Sequence, residues 1–254
     1  MRELYWFQND LRLQDNPALL EHAGASELLL VYCWPDAPPW CNLKGMGGQR
    51  ERFLRESLQS LRDELRAIGQ DLLVCFDAPE QVLPGLVRQF RIERVGTALS
   101  PGYHERRARE TLFHALQVPL QLHSGNTLFK ERDLPFESGA LPGQFTPFRE
   151  QLESRLAPQV MARPDTLPPP PAGVNFVPLE KAELPPHTAL PLRGGAVEGQ
   201  RRLQQWVFER QGVAQYKVTR NCLDPLDGSS TLSPWLANGC LSVREVAAAV
   251  IDYQ

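Results

Sequence analysis

The sequence lacks paired cysteines. Its five, Cys33, Cys41, Cys75, Cys222 and Cys240, show no C-x-x-C spacing. An odd count without a motif reads as reduced thiols of a cytoplasmic protein, mostly buried as small hydrophobes. No apolar run is long enough to cross a bilayer. Met1 to Asp10 lacks the charged start and apolar stretch of a secretory signal. There is no G-x-G-x-x-G after the first apolar run and no P-loop, which argues against an ordinary dinucleotide or ATP site. An excess of positive charge is missing too: 27 basic against 30 acidic residues give a net charge of −3. Any nucleic-acid site must therefore be a local basic patch. No internal repeat is present.

What remains is ordinary globular material, 42% hydrophobic and 22% charged, enough to bury a core. The first 125 residues alternate strand and helix. Leu4 to Phe7 is a short continuous apolar run, as a strand buried on both faces requires. Asp15-Asn16-Pro17 supplies a helix N-cap and an early proline. Leu28 to Tyr32 reads as the second strand. Leu54, Leu58, Leu61, Leu65 and Ile68 recur at steps of four and three, the apolar stripe of an amphipathic helix that Gly69 ends. Leu72 to Phe76 predicts strand three, Pro79 opens a helix over Val82, Leu83, Leu86 and Val87, and Ile92 to Leu99 predicts strand four. A helix over Arg106 to Leu116 and a fifth strand at Leu120 to Leu122 follow. Strands spaced by helices imply βαβ units, hence an α/β fold with a five-stranded parallel, doubly wound, Rossmann-like sheet. A ligand of such a sheet belongs at the carboxyl ends of its strands.

The middle of the chain differs. Ten of the 23 prolines lie between Pro158 and Pro191, four of them in a row from Pro168. This is neither regular helix nor central strand; it reads as an extended connector that wraps the surface or links domains. After Gly194-Gly195 the pattern turns helical. Leu203, Trp206 and Val207 share a face, and Arg201, Arg202 and Arg210 read as a solvated face. Asp227-Gly228-Ser229-Ser230-Thr231-Leu232-Ser233-Pro234-Trp235-Leu236 sets hydroxyls and a glycine before an apolar helix. Such a loop can aim N–H groups and hydroxyls at a phosphate, or serve as a plain helix cap. The residues alone leave both open.

Several stretches carry a resemblance. Leu4 to Asn16, LYWFQNDLRLQDN, resembles the W-F-R-x-D-L-R-x-x-D-N opening of the photolyase and cryptochrome family. Arg50-x-x-Phe53-Leu54 with Glu56, Ser57 and Leu58 matches that family's second helix. Leu134-Pro135-Phe136 and Leu141-Pro142-x-x-Phe145-Thr146-x-Phe148-Arg149 are similar to a stretch of its DASH group. Tyr216-Lys217-x-Thr219-Arg220-Asn221 and Ser229-Ser230-x-Leu232-Ser233-Pro234-Trp235-Leu236-Ala237-x-Gly239 resemble the start of its flavin domain. The matches occur in order over nearly the whole chain.

The resemblance implies an α/β antenna domain (1–130), an extended Pro-rich connector (131–195) and the beginning of an all-helical FAD-binding domain (196–254). It implies FAD contacts from Tyr216 and from Ser229, Ser230, Thr231, Leu232 and Ser233. It sets Arg220 toward DNA phosphate, a role that suits guanidinium. The antenna domain would carry a folate (methenyltetrahydrofolate) or deazaflavin pigment, with Glu105 as an acidic contact; a solvated carboxylate at a helix start is the competing reading of Glu105. The family reaction is blue-light, FAD-dependent opening of cyclobutane pyrimidine dimers, in single-stranded DNA for the DASH group, with the damaged base taken out of the stack. Two departures stand out: Gln8 replaces an arginine, and Thr231 replaces a lysine or arginine of the phosphate loop. The helices that carry the rest of the family's flavin pocket are not in this sequence. Three readings follow: a truncated or split photolyase-like chain that needs a second chain or a homodimer for its FAD site and does not catalyse alone, a freestanding pigment-binding domain, and a non-enzymatic light-signalling or nucleic-acid-binding module. No catalytic residue, metal or membrane is expected.

Overall fold

A computed structural model describes residues 1–35, 45–130, 133–180, 184–188, 191–221 and 228–253. Cys41, Cys222 and Asp227 lie outside the described residues.

Five strands, β1 (Arg2–Phe7), β2 (Glu27–Cys33), β3 (Leu73–Cys75), β4 (Arg94–Ala98) and β5 (Leu120–His123), form one sheet in the order β3-β2-β1-β4-β5. Every pairing is parallel. The central run Leu4 to Phe7 is buried on both faces, which is why it lacks a polar alternation. Its side chains divide between two cores: Tyr5 and Phe7 face one, Leu4 and Trp6 the other.

The helices explain that division. α1 (Pro17–Leu20) and α2 (Gly48–Ala67) cover the Tyr5/Phe7 face, while α3 (Pro79–Phe90) and α4 (Tyr103–Ala115) cover the other. α1 begins as the sequence predicts, with the Asn16 side chain accepting from Leu19 N and Pro17 at the first turn. The α2 stripe Leu54, Leu58, Leu61 and Leu65 is buried, and Gly69 follows the helix at φ +80°.

The proline-rich segment wraps the α/β layer. Pro169 O accepts from Leu28 N at 2.9 Å, satisfying the second amide of β2, and Gln70 Nε2 bridges Leu28 O and Pro168 O. Leu167 and Leu179 are buried against the α2 side. α5 (Phe145–Glu153) precedes the proline-rich run and is helical within the 131–195 segment that the sequence reads as extended, because no proline interrupts the turns after Pro147. The connector ends against α2 at Gly194 and Gly195, whose amides donate to Glu56 Oε2 (2.7 Å) and Ser57 Oγ (3.1 Å). Gly195 sits at φ +104°, a conformation that a side chain resists.

The remaining helices are α6 (Ala196–Gln204), continued by a π turn over Gln205–Glu209, then α7 (Gly212–Thr219), α8 (Ser233–Asn238) and α9 (Val243–Tyr253). Leu203, Trp206, Val207, Trp235 and Leu241 join the same core as α1 and α2. The helical segment therefore extends the α/β core. α7 is the exception: none of its residues is buried, and Val218 is 85% exposed.

The opening motif supplies the seam. Asp10 accepts from Tyr5 Oη (2.6 Å), Gln8 N and Asn16 Nδ2, which fixes the loop after β1. Burial, then the Asp10 carboxylate, pushes the Tyr5 pKa well above its ordinary value. Arg12 is buried and donates to the Gly239, Gly125 and Asp15 carbonyls. Arg244 of α9 chelates the Asp15 carboxylate. Gly239 presses so closely on Asn9 that a Cβ there would lie 2.0 Å from the Asn9 carbonyl oxygen.

Candidate functional site

Two regions gather the residues singled out in the sequence. The first is a cleft of about 470 Å³ at the carboxyl edge of the sheet. The chain order turns around β1: β1 continues to β2 on one side, and β4 lies on the other. At such a reversal the loops diverge and leave a crevice. Trp6, Phe7 and Gln8 come from the end of β1, Tyr32, Cys33 and Trp34 from the end of β2, Ala78, Pro79 and Glu80 from the start of α3, and His104 and Glu105 from α4.

Glu105 is half-buried in the cleft wall, in the first turn of α4. Its Oε1 accepts from Asn9 Nδ2 at 3.1 Å, and the carboxylate folds back over Gly102. It is thus a held carboxylate at a helix start, and it faces the crevice. Gln8, which stands where the resembled motif has arginine, donates from Nε2 to Thr97 Oγ1 at 2.7 Å. Trp34 forms an aromatic wall with Phe76 (centroids 5.6 Å apart), and Arg55 lies 4.8 Å from the Trp34 ring centroid.

The second region is built on one face of α6 and its π turn. Arg202 and Trp206 are four residues apart, so they project from the same side. Arg202 is buried and donates to Ser230 O (3.0 Å) and Ser229 O (3.3 Å). Trp206 meets Tyr216 edge-on, ring centroids 5.8 Å apart. A single helical face thereby fixes both the serine loop and the aromatic of α7. The sequence reading of Arg202 as solvated is corrected: its partners are carbonyls 27 and 28 residues further on, which local pattern does not reveal. Burial lowers its pKa from the usual guanidinium value.

Within the loop, Ser229, Ser230 and Thr231 are partly buried, Leu232 is buried, and Ser233 is exposed at the start of α8. Thr231 adopts φ +52° and donates from Oγ1 to Ser230 O at 2.7 Å. The N-cap position of α8 is Leu232, and among the described residues no side chain caps the helix. The serine hydroxyls are therefore not spent on capping. Tyr216 is 44% exposed. Arg220 ends α7 and is exposed. Trp235 and Trp206 are packing residues; Trp235 is 2% exposed and meets Phe53 edge-on. Among the described residues no group of three or more metal-ligating side chains occurs, and no helix is long and apolar enough to cross a membrane.

A parallel sheet with a crevice at its point of reversal, extended by a helical segment, defines a doubly wound α/β protein. The chain belongs to the DNA photolyase family, whose profile matches residues 3–172. It is 34% identical over 257 residues to the cryptochrome DASH of Idiomarina loihiensis, covering 99% of this chain and 57% of that protein. It is 36% identical over 270 residues to the cryptochrome DASH of Gloeobacter violaceus, covering 99% and 53%. Among solved structures, a cryptochrome from Synechocystis superposes with a TM-score of 0.87 at 30% identity, over all of this chain and 56% of that one. The chain spans about half the length of the curated relatives it matches.

Proposed function

We propose that this chain contributes the antenna domain, the connector and the first flavin contacts of a DASH-type photoreceptor or photolyase, divided at about residues 130 and 195. Ser229, Ser230, Thr231, Leu232 and Ser233 hold the FAD phosphates, Tyr216 contacts the cofactor, and Arg220 faces the DNA backbone. The observation that carries this reading is the α6 face, which holds both the loop and Tyr216 while the Ser229 and Ser230 hydroxyls stay out of the α8 cap. FAD, when bound, supplies light-driven electron donation to a pyrimidine dimer in single-stranded DNA.

The residues have separate tasks. Arg202 draws the Ser229 and Ser230 carbonyls inward, which turns the loop's donors outward toward an anion. With Thr231 in place of a cation, phosphate is met by hydroxyls and amides and not by a full charge. Trp206 limits the positions that Tyr216 can take. Arg220, at the end of an exposed helix, adds a local positive charge that the net charge of −3 does not advertise.

A second reading, a freestanding pigment-binding domain, is favoured by the crevice itself. Its size and its aromatic wall suit a flat folate or deazaflavin ring, with Glu105 as a hydrogen-bond acceptor.

Equilibrium titration separates the two. Flavin fluorescence anisotropy is followed as the chain is added to FAD, and near-ultraviolet difference absorption as it is added to methenyltetrahydrofolate. The first reading, with an incomplete FAD site in this chain, expects weak flavin binding that falls a further tenfold or so when Ser229 and Ser230 become alanine, from lost hydrogen bonds to a charged group. Folate binding that Glu105→Ala weakens, with no flavin binding, selects the second. Binding of neither ligand by folded protein overturns the second reading and the claim that the serine loop alone holds FAD phosphate.

A further inference from the structure

Two thiols stand side by side on β2 and β3, and one of them, Cys33, lines the crevice. β2 and β3 run parallel, with Cys33 and Cys75 as direct Cα partners. Such partners carry their side chains to the same face of the sheet, and the neighbours agree. Val31 and Leu73 join the α3/α4-side core with both cysteines, while Tyr32 and Val74 between them join the other core. Neither thiol is in a disulfide. Adjacent strands lie about 4.7–4.9 Å apart, inside the roughly 4.4–6.8 Å Cα separation that a disulfide spans. β3 is an edge strand of three residues, with no strand beyond it among the described residues to resist a small shift.

We propose that Cys33 and Cys75 form an oxidisable pair, which a low-molecular-weight disulfide converts into a cross-strand bridge beside the crevice. Cys75 is half-buried and Cys33 buried, so Cys75 meets the reagent first. Its thiolate attacks one sulfur of the small disulfide; that S–S bond breaks and one thiolate leaves. Cys33 then gives its proton to solvent and attacks the Cys75 sulfur, forming the bridge and expelling the second small thiol. Two protein thiols are oxidised, and one small disulfide is reduced to two thiols. The bridge ties the end of β3, from which the chain runs through Asp77 into the cleft residues Ala78, Pro79 and Glu80, to the end of β2.

The surroundings set the rate. Burial pushes the Cys75 thiol up to about 11, with Asp77 adding to it. Burial raises Cys33 further, helped by Cys75, Glu80 and Asp77. Tyr32 on β2 and Arg50, His104, Glu105 and Arg107 around the crevice complete the charged and titratable neighbours. Thiolate is therefore scarce at neutral pH, and exchange quickens as pH rises.

The test uses the full chain carrying Cys41→Ser and Cys222→Ser, both outside the described residues. It is incubated with oxidised glutathione from pH 7 to 9, followed by intact mass and unreduced peptide mapping. The expected product has lost two hydrogens, joins the Cys33 and Cys75 peptides, forms about tenfold faster for each unit of pH, and is absent from Cys75→Ala. A persistent glutathione adduct on Cys75, a bridge to Cys240, or free thiols in the folded chain after the guanidinium-unfolded chain is fully oxidised would each overturn the proposal.

Discussion

His22 is fully buried, with Nδ1 2.5 Å from the buried Glu3 carboxylate and Nε2 3.2 Å from Nε2 of His123. Arg94 takes the other Glu3 oxygen. The two facing ring nitrogens accommodate one proton between them, and burial disfavours the charged form of both rings. Burial lowers the pKa of both rings; Arg94 adds to the lowering, against opposing pulls from Glu3 on both and from Glu21 on His123. The sign follows from linkage. Above the ordinary histidine value of about 6.5 both states are neutral and stability is full. As pH falls below it the unfolded chain binds protons that the folded pair refuses, and stability is lost. Melting temperature should therefore decline as pH falls from 6.5 toward 5, and decline less in His123→Gln. Glu64 and Glu245, raised by burial, act in the opposite sense and are common to both proteins, so the difference isolates the pair. Parallel profiles would refute the assignment. None of this was legible in sequence: His22 and His123 are separated by 101 residues, and a histidine carries no periodic signal. The same holds for Glu105, whose partner Asn9 is 96 residues away. Serine, threonine and tyrosine positions could be named from local motifs, but the arginine that positions them could not.

Elements were far more legible, because their signals are local. The leucine stripe, the Asn16-Pro17 start and Gly69 define α1 and α2 without tertiary information, and every strand overlaps the run the sequence marks: β3 and β4 lie inside it, while β1, β2 and β5 extend one or two residues past it. Differences within the α/β layer are at the ends, and one helix, α5, forms inside the 131–195 stretch that the sequence reads as extended. β4 spans Arg94–Ala98 inside the expected 92–99, and α4 begins at Tyr103, three residues early, once Gly102 takes the cap position. The π turn after α6 was not foreseen, since one extra residue in a helical turn leaves the apolar pattern almost unchanged. α2 tests the element reading directly. Leu58 is 0% exposed, between the sheet and the incoming connector. Leu58→Ala should cost about 2–5 kcal/mol by urea unfolding. A cost below about 1 kcal/mol would mean that the stripe does not face the core.

At the scale of the whole molecule, the question is whether the helical segment is a separate unit. Its apolar residues complete the α2-side core, and its seam with the α/β layer is ionic and buried. Arg244 donates to both Asp15 oxygens (2.9 and 3.2 Å), to Thr127 O (2.8 Å) and to Gly125 O (3.0 Å). Arg12 crosses the same seam to Gly239 O at 2.9 Å. The opening motif, read from sequence as a family mark, is thus the surface on which α8 and α9 are seated. Removing one partner of a buried ion pair leaves the other charge stranded, which costs about 3–5 kcal/mol. Arg244→Met keeps the volume but strands the fully buried Asp15, so it should lower stability by that amount. The shared core makes a further demand. If residues 196–253 complete it, wild type and variant should both unfold in one transition, with amides of α9 and of β1 exchanging through the same global opening. Exchange of α9 through a separate, lower-energy opening in the wild type would show two units joined at a seam. Separation confined to Arg244→Met would place the cooperativity in the Arg244–Asp15 contact itself and not in the apolar packing beneath it.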